Sequence, residues 1–461
     1  MRSGGGTISW NIEDNANWLT CLPNSGMNDG KVKVTISPAG LSAGTYTAVI
    51  TVTSPGALHP SQSVNVTLRV ANGDGAPFGC LDTPVDGSSV SGSLSISGWA
   101  LDDIEVTRVE IKRNSTPDDP PGTIGPDGLV YIDDAAFIEG ARPDIEKAFP
   151  DFPLNFRAGW GYILLTNVLP NRGNGPFSLA AFAHDASGHR VEIGRKTIHC
   201  NNDNQAKPFG TIDSPKSGES ISGSSYLNFG WVLTPLPKTV PKDGSTISVW
   251  VDGVQLGHPV YNQYREDIAR QFPEFNNSQG AVGYYYLETT QYRNGVHTIG
   301  WSVVDDQGQA EGIGSRFFSI DNNESGISAR EAPGAKFFLP EDKTGKLRIR
   351  IKEIRRGFRL QVDERKSFTG EGIREVQLEQ MEPGRIVFEG GAGGRNMTYV
   401  GWEENEEKDL PAGSMLDQEK GIFSWMPPPG FIGKYLLHFV VTDGVHMSKP
   451  IRILVNVIPK K

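Results

Sequence analysis

The chain repeats one block of motifs, and this internal repeat constrains its fold more than any other feature of the sequence. Residues 77–84 (PFGCLDTP) return as residues 208–215 (PFGTIDSP). Four further motifs return in the same order: Gly98-Trp99 as Gly230-Trp231, Arg142-Pro143-Asp144-Ile145 as Arg265-Glu266-Asp267-Ile268, Phe149-Pro150 as Phe272-Pro273, and Asn174-Gly175 as Asn294-Gly295. Two copies of one module, over residues 76–203 and 207–321, are therefore predicted. We expect Trp99 and Trp231 to fill the same buried core position.

Apolar and polar residues alternate at every second position in many short runs, such as residues 32–36 (VKVTI) and 46–52 (YTAVITV). This period is typical of half-buried β-strands. The 55 Gly and 31 Pro are too many for a helical protein and suit turns between strands. A chain of 461 residues also exceeds what one core supports, so three or four domains are expected. The sequence predicts an all-β chain of tandem sandwiches arranged like beads on a string. Each repeat should hold one short helix, beginning near Pro143-Asp144 or Glu266-Asp267.

The first segment, residues 1–72, carries a recognisable layout of strand-like motifs: Ile8-Ser9-Trp10, Asn17-Trp18-Leu19, Pro23-Asn24-Ser25-Gly26, Gly40 to Tyr46 and Val64 to Val70. This layout resembles the bacterial BACON domain, a small β-sandwich of surface and secreted proteins. Such domains begin with one or two strands that would precede Gly6. The resemblance therefore implies an N-terminal truncation that removed an export signal or a catalytic domain. It also predicts an incompletely covered core near residues 6–10.

The two repeats look like an immunoglobulin-like module found in tandem in bacterial multidomain surface proteins. Residues 322–345 lack periodicity and are predicted to be a linker. In residues 346–461, several motifs are similar to the putative-Ig, cadherin-like modules of bacterial exoproteins: Leu410 to Ser414, Gly421 to Pro427, Gly430 to Tyr435 and Phe439 to Gly444. The alternation in this last module points Trp425 and Tyr435 inward.

Charge and motif content argue against several classes of function. The net charge of -10 argues against nucleic acid as the main partner, because phosphate binding needs a basic surface. No apolar run reaches the roughly 18 residues of a membrane-spanning helix, so none is predicted. The sequence contains no nucleophile elbow, zinc-protease motif or phosphate loop. Cys21, Cys80 and Cys200 are predicted to be buried or incidental thiols, with a Cys80–Cys200 bridge as the alternative.

Acidic residues near module ends raise the question of calcium. Asp305, Asp306 and Asp321 are candidate ligands, because Ca²⁺ in related modules is held by carboxylates and backbone oxygens at domain junctions. None of them belongs to an alternating-aspartate loop. The competing interpretation is that these carboxylates accept hydrogen bonds from backbone amides in turns.

Tyrosines form the candidate ligand-binding surface. Three neighbouring tyrosines occupy positions 284–286, and successive side chains on a strand point to opposite faces. We therefore expect Tyr285 to be exposed and to form a sugar-binding or protein-binding surface with Tyr261, Tyr264 and Tyr292. An edge or interface role is the alternative.

Taken together, the sequence predicts a non-catalytic adhesion or spacer protein of the bacterial cell surface or exterior. Its partner would be a surface protein or a polysaccharide, with Ca²⁺ as the one candidate cofactor. The alternative function is a carbohydrate-binding accessory region of a larger secreted hydrolase.

Overall fold

The computed structural model describes residues 7–28, 30–57, 60–70, 75–322, 341–344, 347–365, 372–390, 397–404 and 409–460. Almost all regular structure in these ranges is β-strand, and the sheets confirm the prediction of tandem β-sandwiches. The chain divides into two units. Unit 1 contains residues 1–76 and 102–104, and unit 2 contains residues 77–101 and 105–461. Within the described ranges, no helix is long and apolar enough to span a membrane.

Unit 1 is a small sandwich, and its described residues form six strands: β1 (Ser9–Asp14), β2 (Leu19–Leu22), β3 (Ser25–Met27), β4 (Lys33–Ile36), β5 (Gly44–Thr53) and β6 (Ser61–Val70). One sheet has the order β3-β1-β5-β6, and β2 pairs with β4 in the other. Trp18, Leu19, Cys21, Ala48 and Ile50 form its core.

The core of unit 1 is open beside β4. Val34 and Ile36 pair with Cys21 and Leu19 and so share their inward face, yet they are 45% and 38% exposed. Trp10 is half-buried, and its indole N–H donates to the carbonyl oxygen of Asn28 at 2.9 Å. The exposed part of this core lies at β4. Residue 6 lies outside the described residues, so the opening expected near residues 6–10 stays a prediction.

Repeat 1 (residues 76–203) forms one continuous ladder with the order β7-β9-β12-β11-β10-β13-β14-β8. The long strand β11 joins the two layers, because it pairs with β12 near its end and with β10 along most of its length. The elements are β7 (Phe78–Thr83), β8 (Ser88–Val90), β9 (Ser93–Leu101), β10 (Val106–Asn114), β11 (Leu129–Phe137), α1 (Pro143–Ala148), β12 (Gly159–Leu165), the single turn α2 (Pro170–Gly173), β13 (Asn174–Asp185) and β14 (Arg190–Asn201).

Repeat 2 (residues 207–321) has two sheets, β15-β17-β21-β20 and β16-β23-β22-β18-β19. Its elements are β15 (Phe209–Ser214), β16 (Glu219–Ile221), β17 (Tyr226–Leu233), β18 (Ile247–Val251), β19 (Val254–Gly257), β20 (Val260–Gln263), α3 (Glu266–Gln271), β21 (Val282–Leu287), β22 (Gly295–Val304) and β23 (Ala310–Ile320). Strands β19 and β20 take the place of β11, and Pro259 lies at the break between them because proline cannot donate to a ladder. The strand order is otherwise that of repeat 1.

The repeated motifs form the same aromatic cluster in both repeats. The ring centroids of Phe78 and Trp99 are 5.8 Å apart and their planes meet at 88°. For Phe209 and Trp231 the values are 5.9 Å and 89°. Further rings complete each cluster: Phe149 and Phe152 beside α1, and Phe272 and Phe275 beside α3. These clusters are separate from the cores between the sheets. The two tryptophans thus occupy equivalent positions, but beneath the short helices and outside the main cores. Trp231 is buried as predicted, whereas Trp99 is only half-buried.

In the described part of the C-terminal module (residues 346–461), nine strands form a sandwich: β24 (Ile349–Arg356), β25 (Gln361–Val362), β26 (Arg374–Glu379), β27 (Gly384–Gly390), β28 (Thr398–Glu403), β29 (Ser414–Asp417), β30 (Ile422–Trp425), β31 (Gly433–Thr442) and β32 (Ile451–Ile458). The sheets have the orders β25-β24-β27-β30-β29 and β26-β32-β31-β28. Trp425 and Tyr435 are fully buried, which confirms the prediction that both side chains point inward. The predicted linker lies mostly outside the described residues, and the domain boundaries remain predictions.

Short 3₁₀ turns connect the strands of both repeats, at Pro121–Thr123, Asn155–Arg157, Thr166–Val168, Asn202–Asn204, Ser278–Gly280 and Thr289–Gln291.

Candidate functional site

The four predicted tyrosines do not form one surface. Tyr261 is buried and donates its hydroxyl to the carbonyl oxygen of Val232 at 2.7 Å, and burial raises its pKa to about 12. Tyr285 and Tyr292 are half-buried against the core of repeat 2. Only Tyr264 is largely exposed. The expectation that Tyr285 is the exposed member of the run is wrong, because it lies opposite Asn228, whose side chain binds Trp301 in the core.

The two neighbours of Tyr285 point outward instead. Tyr284 and Tyr286 pair with Phe229 and Leu227 of β17, and Val260 of β20 pairs with Tyr284. We call these five residues the tyrosine face. The rings of Tyr284 and Tyr286 meet at 72° with centroids 5.7 Å apart. Alternation in the sequence indicates that positions 284 and 286 share a side, but it does not tell which side faces water.

The predicted calcium ligands are used within the fold. Asp305 is buried and accepts hydrogen bonds from the amides of Gln307 and Gln309 at 3.1 and 2.8 Å, with Lys238 Nζ at 3.4 Å. Asp306 accepts from the amide and hydroxyl of Thr239, and these bonds lower its pKa.

Asp321 is exposed and follows β23. Across the part of the chain that the structure describes, no group of three His, Cys, Asp or Glu residues could hold a metal ion. Calcium binding thus stays a prediction, without a ligand cluster to support it.

The cysteines give no reactive centre. All three are free thiols, so the alternative Cys80–Cys200 bridge is absent. Burial raises the pKa of Cys200 to about 12, which keeps the thiol protonated and unreactive at neutral pH.

A charged cluster covers the outer side of β10. Glu110 lies 3.3 Å from His184 and 3.2 Å from Arg190, while Lys112 and Arg190 both lie 2.9 Å from Asp127. Burial alone would raise the pKa of Glu110, but the hydrogen bonds and cations around it lower that pKa. Each carboxylate is paired with cations, so the cluster is suited to stabilising the sheet rather than to acid–base chemistry.

A histidine–carboxylate pair lies at the edge of repeat 2. His297 Nδ1 is 2.6 Å from Asp252 Oδ2, and Asp252 Oδ1 also accepts from the amide of Thr298 at 2.9 Å. Asp252 and Gly253 form the turn between β18 and β19. A Cβ atom on Gly253 would lie 2.6 Å from the backbone N of Trp425, so this turn packs closely on the C-terminal module.

Three modules meet at one hydrophobic junction. Ile163 of repeat 1, Trp250 of repeat 2, and Met381 and Met426 of the C-terminal module form one buried cluster. Trp250 also donates its indole N–H to Ser302 Oγ at 2.8 Å.

Polar and backbone contacts reinforce the junction. The Tyr435 hydroxyl donates to the carbonyl oxygen of Ala141 in repeat 1 at 2.6 Å. Glu311 of repeat 2 lies 2.5 Å from Lys460 and 2.9 Å from Lys207. Gly161 touches the backbone of Pro429, and a side chain there would overlap it. The last three modules are therefore packed more closely than beads on a string.

Residues 77–135 match the sequence model of a family described as bacterial Ig domain. A search of curated proteins finds no match at the significance applied. Similar solved structures include the fibronectin(III)-like modules of Clostridium thermocellum CbhA (16% identity, 54% of this chain and 99% of that chain, TM-score 0.18), the insect immune protein hemolin (12%, 99% and 93%, 0.21) and protocadherin gammaB7 (10%, 99% and 92%, 0.17). These TM-scores are too low to support any functional comparison.

Proposed function

We propose that this chain is a non-catalytic scaffold of a bacterial extracellular or surface protein, in which repeat 1, repeat 2 and the C-terminal module act as one rigid spacer. The observation that carries the proposal is the buried cluster of Ile163, Trp250, Met381 and Met426, to which all three modules contribute. The match of residues 77–135 to a bacterial Ig domain supports an extracellular, non-catalytic role.

Close backbone packing explains why such a block would be rigid. Domains joined by flexible linkers usually meet through modest polar interfaces and move relative to one another. Here Gly161 and Gly253 let backbone touch backbone at two separate points of the junction. Because packed interiors are as dense as organic crystals, a change in module orientation would open voids at both points.

The carbohydrate-binding alternative is the weaker proposal. It was predicted from four tyrosines, and Tyr264 alone among them is largely exposed. A pyranose needs an exposed ring face with polar partners around it.

The test is a single substitution that wedges the junction and leaves repeat 1 intact. Gly161 lies on the outer face of β12, so Gly161→Val should displace Pro429 without entering the core of repeat 1. The matched control is Gly122→Val, because a Cβ at Gly122 meets open space. Overpacking of this kind costs about 1–3 kcal/mol. In calorimetry of the full chain, we expect residues 77–460 to unfold in one transition in the wild type and the control. In Gly161→Val the C-terminal module should unfold separately and the radius of gyration should rise.

Two results would refute the rigid-block proposal. One is a wild-type protein whose three modules already unfold independently. The other is a Gly161→Val protein with the same transition and the same small-angle scattering curve as Gly122→Val.

A further inference from the structure

The outer faces of the two repeats are equivalent in register but differ in what covers them. Aligning Trp99 with Trp231 through the strand pairings gives five equivalent positions on this face: Gly161 with Tyr284, Ile163 with Tyr286, Ser95 with Leu227, Ser97 with Phe229, and Ala136 with Val260. The tyrosine face of repeat 2 is thus the counterpart of a face built from smaller side chains in repeat 1.

In repeat 1 this face is buried against the other modules, and part of the cover is a proline-rich loop of the same chain. The loop runs from Met426 through Pro427, Pro428 and Pro429 to Gly430. Met426 packs on Ile163, and the backbone of Pro429 lies on Gly161. A Cβ on Gly430 would lie 2.6 Å from the side chain of Ile138, so this end of the loop is also tightly seated.

In repeat 2 the equivalent face is exposed. Leu227, Val260 and Tyr286 are 43%, 53% and 59% exposed, and Tyr284 is half-buried. Exposed apolar residues are unremarkable when scattered, but here they are neighbours on three adjacent strands. A group of neighbouring apolar side chains of this kind is a candidate interaction site.

We propose that the tyrosine face of repeat 2 binds an extended, proline-rich segment of a second protein. The counterpart face in repeat 1 already holds part of such a segment, through the backbone of Pro429 on Gly161. Aromatic side chains are the usual lining of sites for polyproline segments, which are extended before binding and lose little entropy on it. The rings of Tyr284 and Tyr286 meet at 72°, and we expect a pyrrolidine ring of the ligand to pack against their exposed sides.

Other occupants fit less well. A sugar would stack on a flat ring and would need hydrogen-bonding groups beside it, whereas Leu227 and Val260 flank the rings. A second copy of this chain cannot offer its own Pro427 to Pro429 loop, because that loop is held against repeat 1. The proposal concerns the ligand of repeat 2. The binding experiment below tests this proposal separately from the rigid block.

The experiment measures binding of fluorescein-labelled decaproline, and of a peptide with the sequence of residues 426–431 (MPPPGF), to the full chain by fluorescence anisotropy. We expect saturable binding that Tyr286→Ala weakens about tenfold or more, as for an aromatic residue at the centre of an interface. Tyr264→Ala is the matched control, because Tyr264 is also exposed but lies outside the face. Val260→Lys is a second variant on the face, and circular dichroism checks that each variant is folded.

The proposal is overturned if neither peptide binds the wild type saturably, or if Tyr264→Ala weakens binding as much as Tyr286→Ala. Displacement of the peptide by cellohexaose would show that the face binds carbohydrate instead. If light scattering detects a dimer and Tyr286→Ala dissociates it, the face is covered by a second copy of this chain.

Discussion

Replacing His297 with glutamine should remove a charge-assisted hydrogen bond from repeat 2. His297 Nδ1 lies 2.6 Å from Asp252 Oδ2, and Nε2 lies 2.9 Å from the carbonyl oxygen of Arg293. Both neighbours are acceptors, so the doubly protonated imidazolium satisfies both contacts. The side chains of His297 and Asp252 are only 12% and 9% exposed. A hydrogen bond to a charged partner contributes about 1.5–3 kcal/mol, and we expect His297→Gln to lower the free energy of unfolding by about that amount at pH 5.5.

The sign of the pH dependence follows from the pKa of His297. Burial alone would lower this pKa, but the hydrogen bond and charge of Asp252 outweigh it and raise the pKa above its ordinary value of 6.5. The folded protein therefore holds the proton to a higher pH than the unfolded chain does. The stabilisation is fully present below about pH 6.5 and is lost as the pH rises through the folded-state pKa.

Calorimetry of the wild type and His297→Gln between pH 5.5 and 8.5 tests this reasoning. The wild-type melting temperature should exceed that of the variant by a few degrees at pH 5.5, and the difference should shrink as the pH rises. Taking the difference removes the contributions of the other histidines. The turn formed by Asp252 and Gly253 packs on Trp425, so the effect should extend to the C-terminal module. A difference that is constant over this range, or that grows with pH, would refute the assigned protonation.

Three further outcomes are expected. Arg142→Ala should destabilise the protein by about 1.5–3 kcal/mol, because Asp82 and Asp144 lose a charged hydrogen-bond donor but stay partly exposed to water. The equivalent Arg265→Ala should cost less because Arg265 is more exposed; urea unfolding measures both. Asp305→Ala should cost about 1–3 kcal/mol in the same assay, because the amides of Gln307 and Gln309 lose a charged acceptor. Cys200 should react with a thiol reagent only after denaturation, as mass spectrometry of the labelled protein would show.

The repeated motifs predicted the strands and helices of the two repeats. They could do so because the repeated residues form the same local cluster of aromatic rings and ion pairs in each copy. The Phe-Gly and Gly-Trp motifs place Phe78 beside Trp99, and the arginine before each short helix binds two aspartates in both copies. Both helices begin where the sequence indicated, at Pro143 and Glu266. Motifs of this kind are readable because their members lie on neighbouring strands with a fixed spacing.

Contacts between modules could not be read from the sequence. The alternation around Tyr435 predicted its burial, but the partner of its hydroxyl, Ala141, lies 294 positions earlier in the chain. Gly161 and Gly253 likewise look like ordinary strand and turn glycines until another module is seen against them. A pattern in one sequence reports which side chains are apolar, and not which module buries them.

The tyrosine run shows a second limit of the sequence: alternation does not tell which side of a strand faces the core. Period-two alternation places Tyr284 and Tyr286 on one side and Tyr285 on the other, but all three are amphipathic enough for either side. The choice is made on the next strand, where Asn228 turns inward to accept the indole N–H of Trp301 at 2.8 Å. Tyr285 lies opposite Asn228 and follows it inward.

Trp301 also explains why the repeated motifs predicted two modules but did not identify the central residue of each core. In repeat 1 the buried core tryptophan is Trp160 on β12, which packs against Gly98. Its counterpart by strand register is Gly283, and there the space is filled by Trp301 from the facing strand β22. The large residue has moved to the opposite sheet and glycine has taken its place, so the packed volume is kept while the sequence match is lost. The repeated Gly-Trp pair indicated Trp99 and Trp231 because the aromatic cluster under each helix is built from the same residues in both copies. Conserved spacing between copies thus marks contacts made on neighbouring strands, whereas a core shared by two sheets can be rebuilt from either side.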